Sequence, residues 1–420
     1  MTASAADRLA AAREHVRALD RNDPLAPLAH EFVQPRNTIY LDGNSLGMLP
    51  KGALPLMRRT LEDEWGQGLI RSWVDTDWYR KVSLLGDRIG RLIGAASGQT
   101  IVVDTTSLNL FKVLVAALRL APGRKRIVSE ASNFPTDLYM VHGVRELFLG
   151  TELVLAGRDG TLDELVDANT ACVLLTQVDF RTGARHDMAA VTRRVQAQGA
   201  LMIWDLAHSA GAFPVELDAC KVDFAVGCTY KYLNAGPGAP AFVYCAARHL
   251  QHALQPLTGW MSHADPFEFG IDYRPAEGMQ RFLCGTQPVI ASVPLAASLD
   301  IWEKTDLHAV RRKSVALCER FIEWVEWFAA ENGLVLASPR DAEARGSQVS
   351  FRHANGFAIM RALIAQGVVG DFRAPDILRF GFTPLTLSFE QVLDAAIVFE
   401  RIMASGAWRS YSNARTGGVT

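Results

Sequence analysis

The chain has no marked excess of charge, no paired cysteines and no long apolar run. Its 43 lysines and arginines nearly balance 45 aspartates and glutamates. That balance removes the electrostatic case for nucleic acid or an anionic membrane surface. The six cysteines, at 172, 220, 228, 245, 284 and 318, form no CxxC and no metal-ligand spacing. Most lie inside apolar runs, which reads as buried small hydrophobes in a reducing compartment, not a disulfide framework or a zinc site. No stretch approaches the ~18 uninterrupted apolar residues of a membrane span. The Ala- and Arg-rich start lacks the apolar segment of a secretory signal. Internal repeats and low-complexity tracts are missing as well. What is left is the expectation of a cytoplasmic globular protein. With 420 residues, 49% of them hydrophobic, two lobes are the default.

What is present is an alternation of short apolar runs with helical patterns. Apolar runs fall at 100–103, 126–128, 152–154, 171–175, 201–204, 224–226 and 241–244, with helical periodicity at 109–120, 136–146 and 188–198. Such alternation predicts a mostly parallel sheet with helices on both faces. Ligands of such sheets sit at the carboxyl ends of the strands. The stretch 289–330 reads as helical, and 331–420 as a small α+β lobe with an antiparallel sheet. The expected division is an N-terminal arm 1–38 packing on the small lobe, a large domain 39–288, a connecting helix 289–330 and a small domain 331–420.

Two polar residues end successive buried runs. Leu-Met-Ile-Trp terminates in Asp205, and the stretch starting at Phe224 terminates in Tyr230-Lys231. A carboxylate and a lysine so placed suit pyridoxal phosphate: the amine forms a Schiff base, and the acid keeps the pyridine nitrogen protonated. Each residue also has an ordinary reading. Asp205 and His208 are either part of that site or two unrelated loop residues, and no third metal ligand lies at a useful spacing. Lys231 is either a Schiff-base lysine or a solvated one. Asp104-Thr105-Thr106-Ser107 is either a helix cap cluster or a phosphate cup. Phe134 either stacks on a flat ring or staples a helix. Arg379, flanked by apolar residues, is either a structural ion-pair partner or a bidentate carboxylate binder.

Taken in order, these residues resemble the kynureninase family over nearly the whole chain. The resemblance rests on Leu41-Asp42-Gly43-Asn44-Ser45-Leu46-Gly47, Phe134-Pro135-Thr136-Asp137, Asp205-Leu206-Ala207-His208 and Thr229-Tyr230-Lys231-Tyr232-Leu233-Asn234. It rests also on Gly259-Trp260, Phe282-Leu283-Cys284-Gly285-Thr286 and Leu378-Arg379-Phe380-Gly381. It implies an α/β fold of the fold type I pyridoxal-phosphate-dependent (aminotransferase-like) class, with a large, mostly parallel seven-stranded sheet domain and a small α+β domain. The implied reaction is hydrolytic Cβ–Cγ cleavage of L-kynurenine, and of its 3-hydroxy form, to anthranilate or 3-hydroxyanthranilate and L-alanine.

The resemblance also implies roles. Lys231 carries the cofactor and then acts as base, Asp205 pairs with the pyridine nitrogen, and Tyr230 moves protons. Thr106, Ser107, Tyr230 and Trp260 contact the phosphate side, and Phe134 stacks on the ring. Pro135, Thr136, Asp137, Thr176, His208 and Thr286 complete the cofactor environment. Trp260 and Thr286 are implied to act across the interface of a homodimer. Arg379 is implied to hold the substrate carboxylate, with Asn44, Ser45, Trp73 and Gly285 at the aryl-ketone end. No metal is implied. The rival readings are a cysteine desulfurase or aminotransferase relative on the same scaffold, and an inactive binding homologue.

Overall fold

A computed structural model describes residues 5–412. The first residues of the N-terminal arm and the last residues of the C-terminal tail lie outside the described residues. The described chain forms two compact units, one of residues 52–180 and 186–300, the other of the described residues up to 51, residues 181–185 and the described residues from 301 on.

The larger unit is built on a seven-stranded sheet. Its order is Thr100–Val102, Phe242–Cys245, Phe224–Gly227, Leu201–Asp205, Thr170–Thr176, Arg126–Glu130 and Glu152–Ala156. Only Phe242–Cys245 runs against its neighbours. Every residue of Thr170–Thr176 and of Phe224–Gly227 is buried. That is why these strands read as unbroken apolar runs, with no alternation of faces. The parallel register sets Thr176 beside Asp205 and Asp205 beside Val226. Polar residues that end these runs therefore collect on one edge.

The helix Thr106–Leu120 starts at that same edge. Thr105 caps it, its side chain accepting from the Leu108 amide. Asp104 just before it has left-handed backbone, φ 49°, a conformation that aspartate tolerates better than most residues. Lys112, fully buried within the helix, donates to the Asp104 carboxylate and to the Phe282 carbonyl. The buried amine thus ties the turn before the helix to the segment leading into Cys284-Gly285-Thr286.

The other unit has a four-stranded antiparallel sheet in the order Asp371–Arg373, Ile377–Gly381, Gln348–Arg352 and Val335–Leu336. Its core is aromatic, with Phe321 packed 4.9 Å from Phe380 and 5.4 Å from Phe382. The helices Leu307–Ala329 and Phe389–Ser405 supply much of that core. The N-terminal helix Ala5–Arg21 is tied to the second of them by Arg13–Asp394 at 2.8 Å and by Asp20 accepting from the Phe389 amide at 2.7 Å.

These boundaries differ from a division at 39, 289 and 331. Residues 39–51 belong with the small sheet, because Ile39–Tyr40 pairs in parallel with Val368–Val369 and Asp42 bridges to Gly381. The helix Leu307–Ala329 is a core element of that unit, not a connector. Residues 181–185 join it too: Ser350 and Ser338 donate to the Arg181 and Thr182 carbonyls, and the Gly346 amide donates to Gly183. Pairings this distant in sequence leave no local pattern.

Candidate active site

At the carboxyl edge of the large sheet lies a cavity of about 200 Å³. Its walls come from Thr106, Ser107, Phe134, Thr136, Asp137, Thr176, Asp205, His208, Tyr230 and Lys231, together with Leu110, Phe180 and Ala207. Ten residues singled out from sequence are thus gathered around one space.

Two carboxylates form its polar wall. Asp205 is 3% exposed and its Oδ1 accepts from the Ala207 amide at 2.8 Å. Burial pushes its carboxyl above the usual range, against the pull of the Lys231 ammonium. Asp137, one turn into the helix Pro135–Leu147, is 1% exposed. Burial, then the Asp205 charge, pushes it well up as well. The Thr176 hydroxyl lies 2.5 Å from Asn133 Oδ1 and 3.3 Å from Asp137 Oδ2. Asn133 also accepts from the Phe134 amide at 2.7 Å. It braces the turn, a function not singled out from sequence although it begins the Asn-Phe-Pro run.

Lys231 sits in the turn after Phe224–Gly227, with Nζ 3.0 Å from His208 Nε2 and 5.9 Å from the Tyr230 ring centre. Tyr230 is pushed up by the neighbouring Cys228 sulfur and by burial, so its hydroxyl keeps its proton at neutral pH. At another wall, the N-terminus of Thr106–Leu120 offers two hydroxyls and first-turn amides, a natural anion seat. Phe134 caps its helix and packs edge-to-face on Phe180 at 5.2 Å, yet remains 40% exposed. Pro135 follows as the first helical residue and serves the turn.

The donor set fits pyridoxal phosphate. An amine, a carboxylate pair in need of a cationic partner, an anion seat and an aromatic face converge on one cavity. Two acids facing one lysine leave a deficit of positive charge that a protonated pyridine nitrogen would fill.

Five predicted residues of the same unit are not on this cavity, Pro135 just before Thr136 among them. Trp260 is 41% exposed and lines a separate cleft with His263, Phe269, Ile271 and Tyr273. Gly285 and Thr286 are exposed. Trp73 packs edge-to-face on Trp78 at 5.9 Å. The remaining three lie in the smaller unit. Asn44 is fully buried against Gly381, where an added Cβ would come 1.8 Å from Asn44 Oδ1. Neither polar atom of its amide has a hydrogen-bond partner among the described residues. Arg379 is 2% exposed and forms an ion pair with Asp371, joined by Ser45. Nothing in the sequence pattern pointed to Asp371. Among the described residues no cluster of His, Cys, Asp or Glu could hold a metal, and no helix is long and apolar enough to cross a membrane.

Comparison with known proteins bears on this geometry. A family model described as the kynureninase C-terminal domain matches residues 310–399. A kynureninase of Burkholderia pseudomallei (strain 1106a) is 49% identical over 413 residues, covering 97% of this chain and 99% of that protein. One from Pseudomonas fluorescens is 48% identical over 396 residues, covering 93% and 95%. Among solved structures, a cysteine desulfurase from Thermococcus onnurineus NA1 superposes with a TM-score of 0.76 at 19% identity, over 90% of this chain and 98% of that one. A C-DES mutant with glycine covalently linked to its PLP cofactor gives 0.74 at 18% identity, over 88% and 98%. At such identities the structural matches establish the fold, which is of fold type I.

Proposed function

The chain belongs to the kynureninase family, and from that premise we propose that it hydrolyses the Cβ–Cγ bond of L-kynurenine to anthranilate and L-alanine with pyridoxal phosphate as cofactor. The observation that carries the proposal is the single cavity joining Lys231, Asp205 and the N-terminus of Thr106–Leu120. The desulfurase reading has less support. It shares the fold at 19% identity or less in two such structures, against 48–49% with kynureninases over nearly the full length. Among the described residues no cysteine lines the Lys231 cavity.

When bound, pyridoxal phosphate supplies an aldehyde that condenses with an amine and an electron-accepting ring. The residues of this chain do the rest. Thr106 and Ser107 seat the phosphate, and Phe134 covers a ring face. Asp205 holds the proton on the pyridine nitrogen, with Asp137, Thr136 and Thr176 around it. The Lys231 amine would anchor the cofactor and is the group to take the substrate Cα proton. His208 at 3.0 Å fixes where Nζ stands. Tyr230, kept protonated, supplies a proton to the departing carbon. One water is consumed: its hydroxyl ends on the aryl carboxylate, and its hydrogen is made up on alanine.

Arg379 takes the α-carboxylate, and Asn44, with its unpartnered amide, contacts substrate together with Ser45. Trp260 and Thr286, which are not among the residues lining the Lys231 cavity of their own chain, serve the active site of the partner subunit in a homodimer. Trp73 and Gly285 line the aryl end in the same assembly. The protein acts in the cytoplasm. The test is direct. Purified protein with pyridoxal phosphate is given L-kynurenine, 3-hydroxy-L-kynurenine and L-cysteine, and fluorescent anthranilate products, alanine and sulfide are measured. Stoichiometric anthranilate and alanine are expected. Sulfide from cysteine with no anthranilate would move the chain to the desulfurases.

A further inference from the structure

Asp137, Asp205 and Lys231 line one cavity, and what the two acids can do there depends on where their protons lie. A buried chain of hydrogen bonds bears on that. It begins at Ser129, fully buried on the strand Arg126–Glu130. The Ser129 hydroxyl donates to the Leu174 carbonyl at 2.7 Å. A hydroxyl has one proton, so towards Asn133 the Ser129 oxygen can only accept. It does so from Asn133 Nδ2 at 3.0 Å. At the other end of that side chain, Asn133 Oδ1 accepts from the Phe134 amide at 2.7 Å. Both ends agree, and the Asn133 side chain has one orientation.

The consequence falls on Thr176. Its hydroxyl lies 2.5 Å from Asn133 Oδ1, an oxygen that carries no proton, so Thr176 is the donor. Asp137 Oδ2 lies 3.3 Å from the same Thr176 oxygen. With its proton already given, that oxygen has only lone pairs to offer. An ionised Asp137 would meet it lone pair against lone pair, and both side chains are buried. A protonated Asp137 donates to it and completes the chain. Charge works in the same direction. Burial, then the Asp205 carboxylate, pushes Asp137 well up, while the Lys231 ammonium pulls the other way. His208 and Tyr230 complete the titratable groups of the cavity.

We propose that Asn133 is a positioning residue: it takes the Thr176 proton, and so makes Asp137 the neutral acid of the pair and leaves Asp205 as the ionised one. The proposal deepens the cofactor role given to Asp205 above, and its purpose rests on that reading. In the cofactor-free protein the proton on Asp137 covers the deficit of positive charge left by two acids facing one lysine. It also leaves a single carboxylate, Asp205, for a ring nitrogen to pair with. Asn133 itself touches neither cofactor nor substrate. It acts through Thr176, so its loss appears as a change in the titration of Asp137.

The test reads protonation directly, in the protein with and without pyridoxal phosphate. Infrared difference spectra against the matching Asp137→Asn protein isolate the Asp137 carboxyl, whose neutral C=O stretch is present only while it carries a proton. Near neutral pH wild type should show that band in both states, and an ionised Asp137 there overturns the proposal. Thr176→Val removes the acceptor that the neutral acid uses. The Asp137 midpoint should therefore fall, by about one pH unit, the scale of one hydrogen bond. If Thr176 instead donated to an ionised Asp137, the midpoint would rise; a rise or no change overturns the proposal. Asn133→Ala frees the Thr176 proton for the Asp137 anion and should lower the midpoint by a similar amount. In a Thr176→Val background the same change should lower it no further, because no hydroxyl proton is left to free. Water admitted by a loosened turn would lower it equally in both backgrounds, and that result assigns Asn133 a structural role only. Thr176→Val decides the matter if the Asn133 variants do not fold. The cofactor reading fails separately: it falls if borohydride fixes pyridoxal phosphate on a lysine other than Lys231, whatever the infrared bands show.

Discussion

Replacing Asp205 by asparagine separates a cofactor-binding acid from a structural one, because the two roles predict opposite signs. Asn keeps the shape, and its Oδ1 can still accept from the Ala207 amide, 2.8 Å away. In the ligand-free protein the Asp205 charge is a burden. It is 3% exposed, and its repulsion is the second cause of the rise at Asp137. Its own carboxyl is pushed up because burial outweighs the attraction of Lys231. For an acid whose folded value is raised, the stability it contributes is complete below its unfolded value and is lost as pH rises towards the folded one. At the usual assay pH, the ionised carboxylate therefore holds the ligand-free fold together no better than a neutral amide would. Asp205→Asn should leave ligand-free stability unchanged or raised.

With cofactor bound the sign reverses. In the proposed holoenzyme the charge would face a protonated ring nitrogen. Losing a preorganised contact of that kind costs about 2.7–4 kcal/mol, or roughly 10²–10³-fold in kcat. Weaker cofactor binding should accompany it. The assays are thermal unfolding of the cofactor-free protein, titration with pyridoxal phosphate, and anthranilate release at saturating cofactor. Loss of ligand-free stability with turnover near that of wild type would refute the reasoning, since Asp205 would then be a structural acid.

The other predictions address different parts of the molecule. Borohydride reduction of the yellow holoprotein should fix the cofactor on the peptide containing Lys231, and a label on any other lysine would contradict the assignment. Asp42, raised from 3.8 to about 7, should contribute stability that is complete below 3.8 and falls as pH rises to about 7. The full difference is at most roughly 4 kcal/mol. Urea unfolding should show that decline in wild type relative to Asp42→Asn, and parallel profiles would dismiss it. Lys112→Met removes the tie to Asp104 and to the Phe282 carbonyl. It should cost about 3 kcal/mol, the low end for a broken buried pair, because Asp104 keeps 26% side-chain exposure. Pyridoxal phosphate affinity should fall with it, since the same turn opens the proposed phosphate seat.

What could be read from the sequence was whatever one strand or one turn encodes by itself. Thr170–Thr176, Leu201–Asp205 and Phe224–Gly227 are buried on both faces and announce themselves as apolar runs. Asp205, Lys231 and Thr106 could then be assigned to one edge, because parallel strands share their carboxyl ends. The reversed direction of Phe242–Cys245 was hidden, since a buried antiparallel strand has the same apolar signature. So was Lys112, whose place in a helix resembles that of any surface lysine until the helix is found buried on nearly all sides.

Arg379 shows the limit most clearly. A charge between apolar neighbours announces burial and the need for a partner, but not which partner. Asp371 becomes that partner through an antiparallel register, and Ser45 arrives because the Ile39–Tyr40 strand joins the same unit. Once those pairings are known, the structural reading of Arg379 has its named partners: Nε and Nη2 donate to Asp371, and Nη2 donates to Ser45 as well. Carboxylate binding is the proposed role, and the apolar neighbours of Arg379 could announce the burial but not these partners, which come from segments distant in sequence.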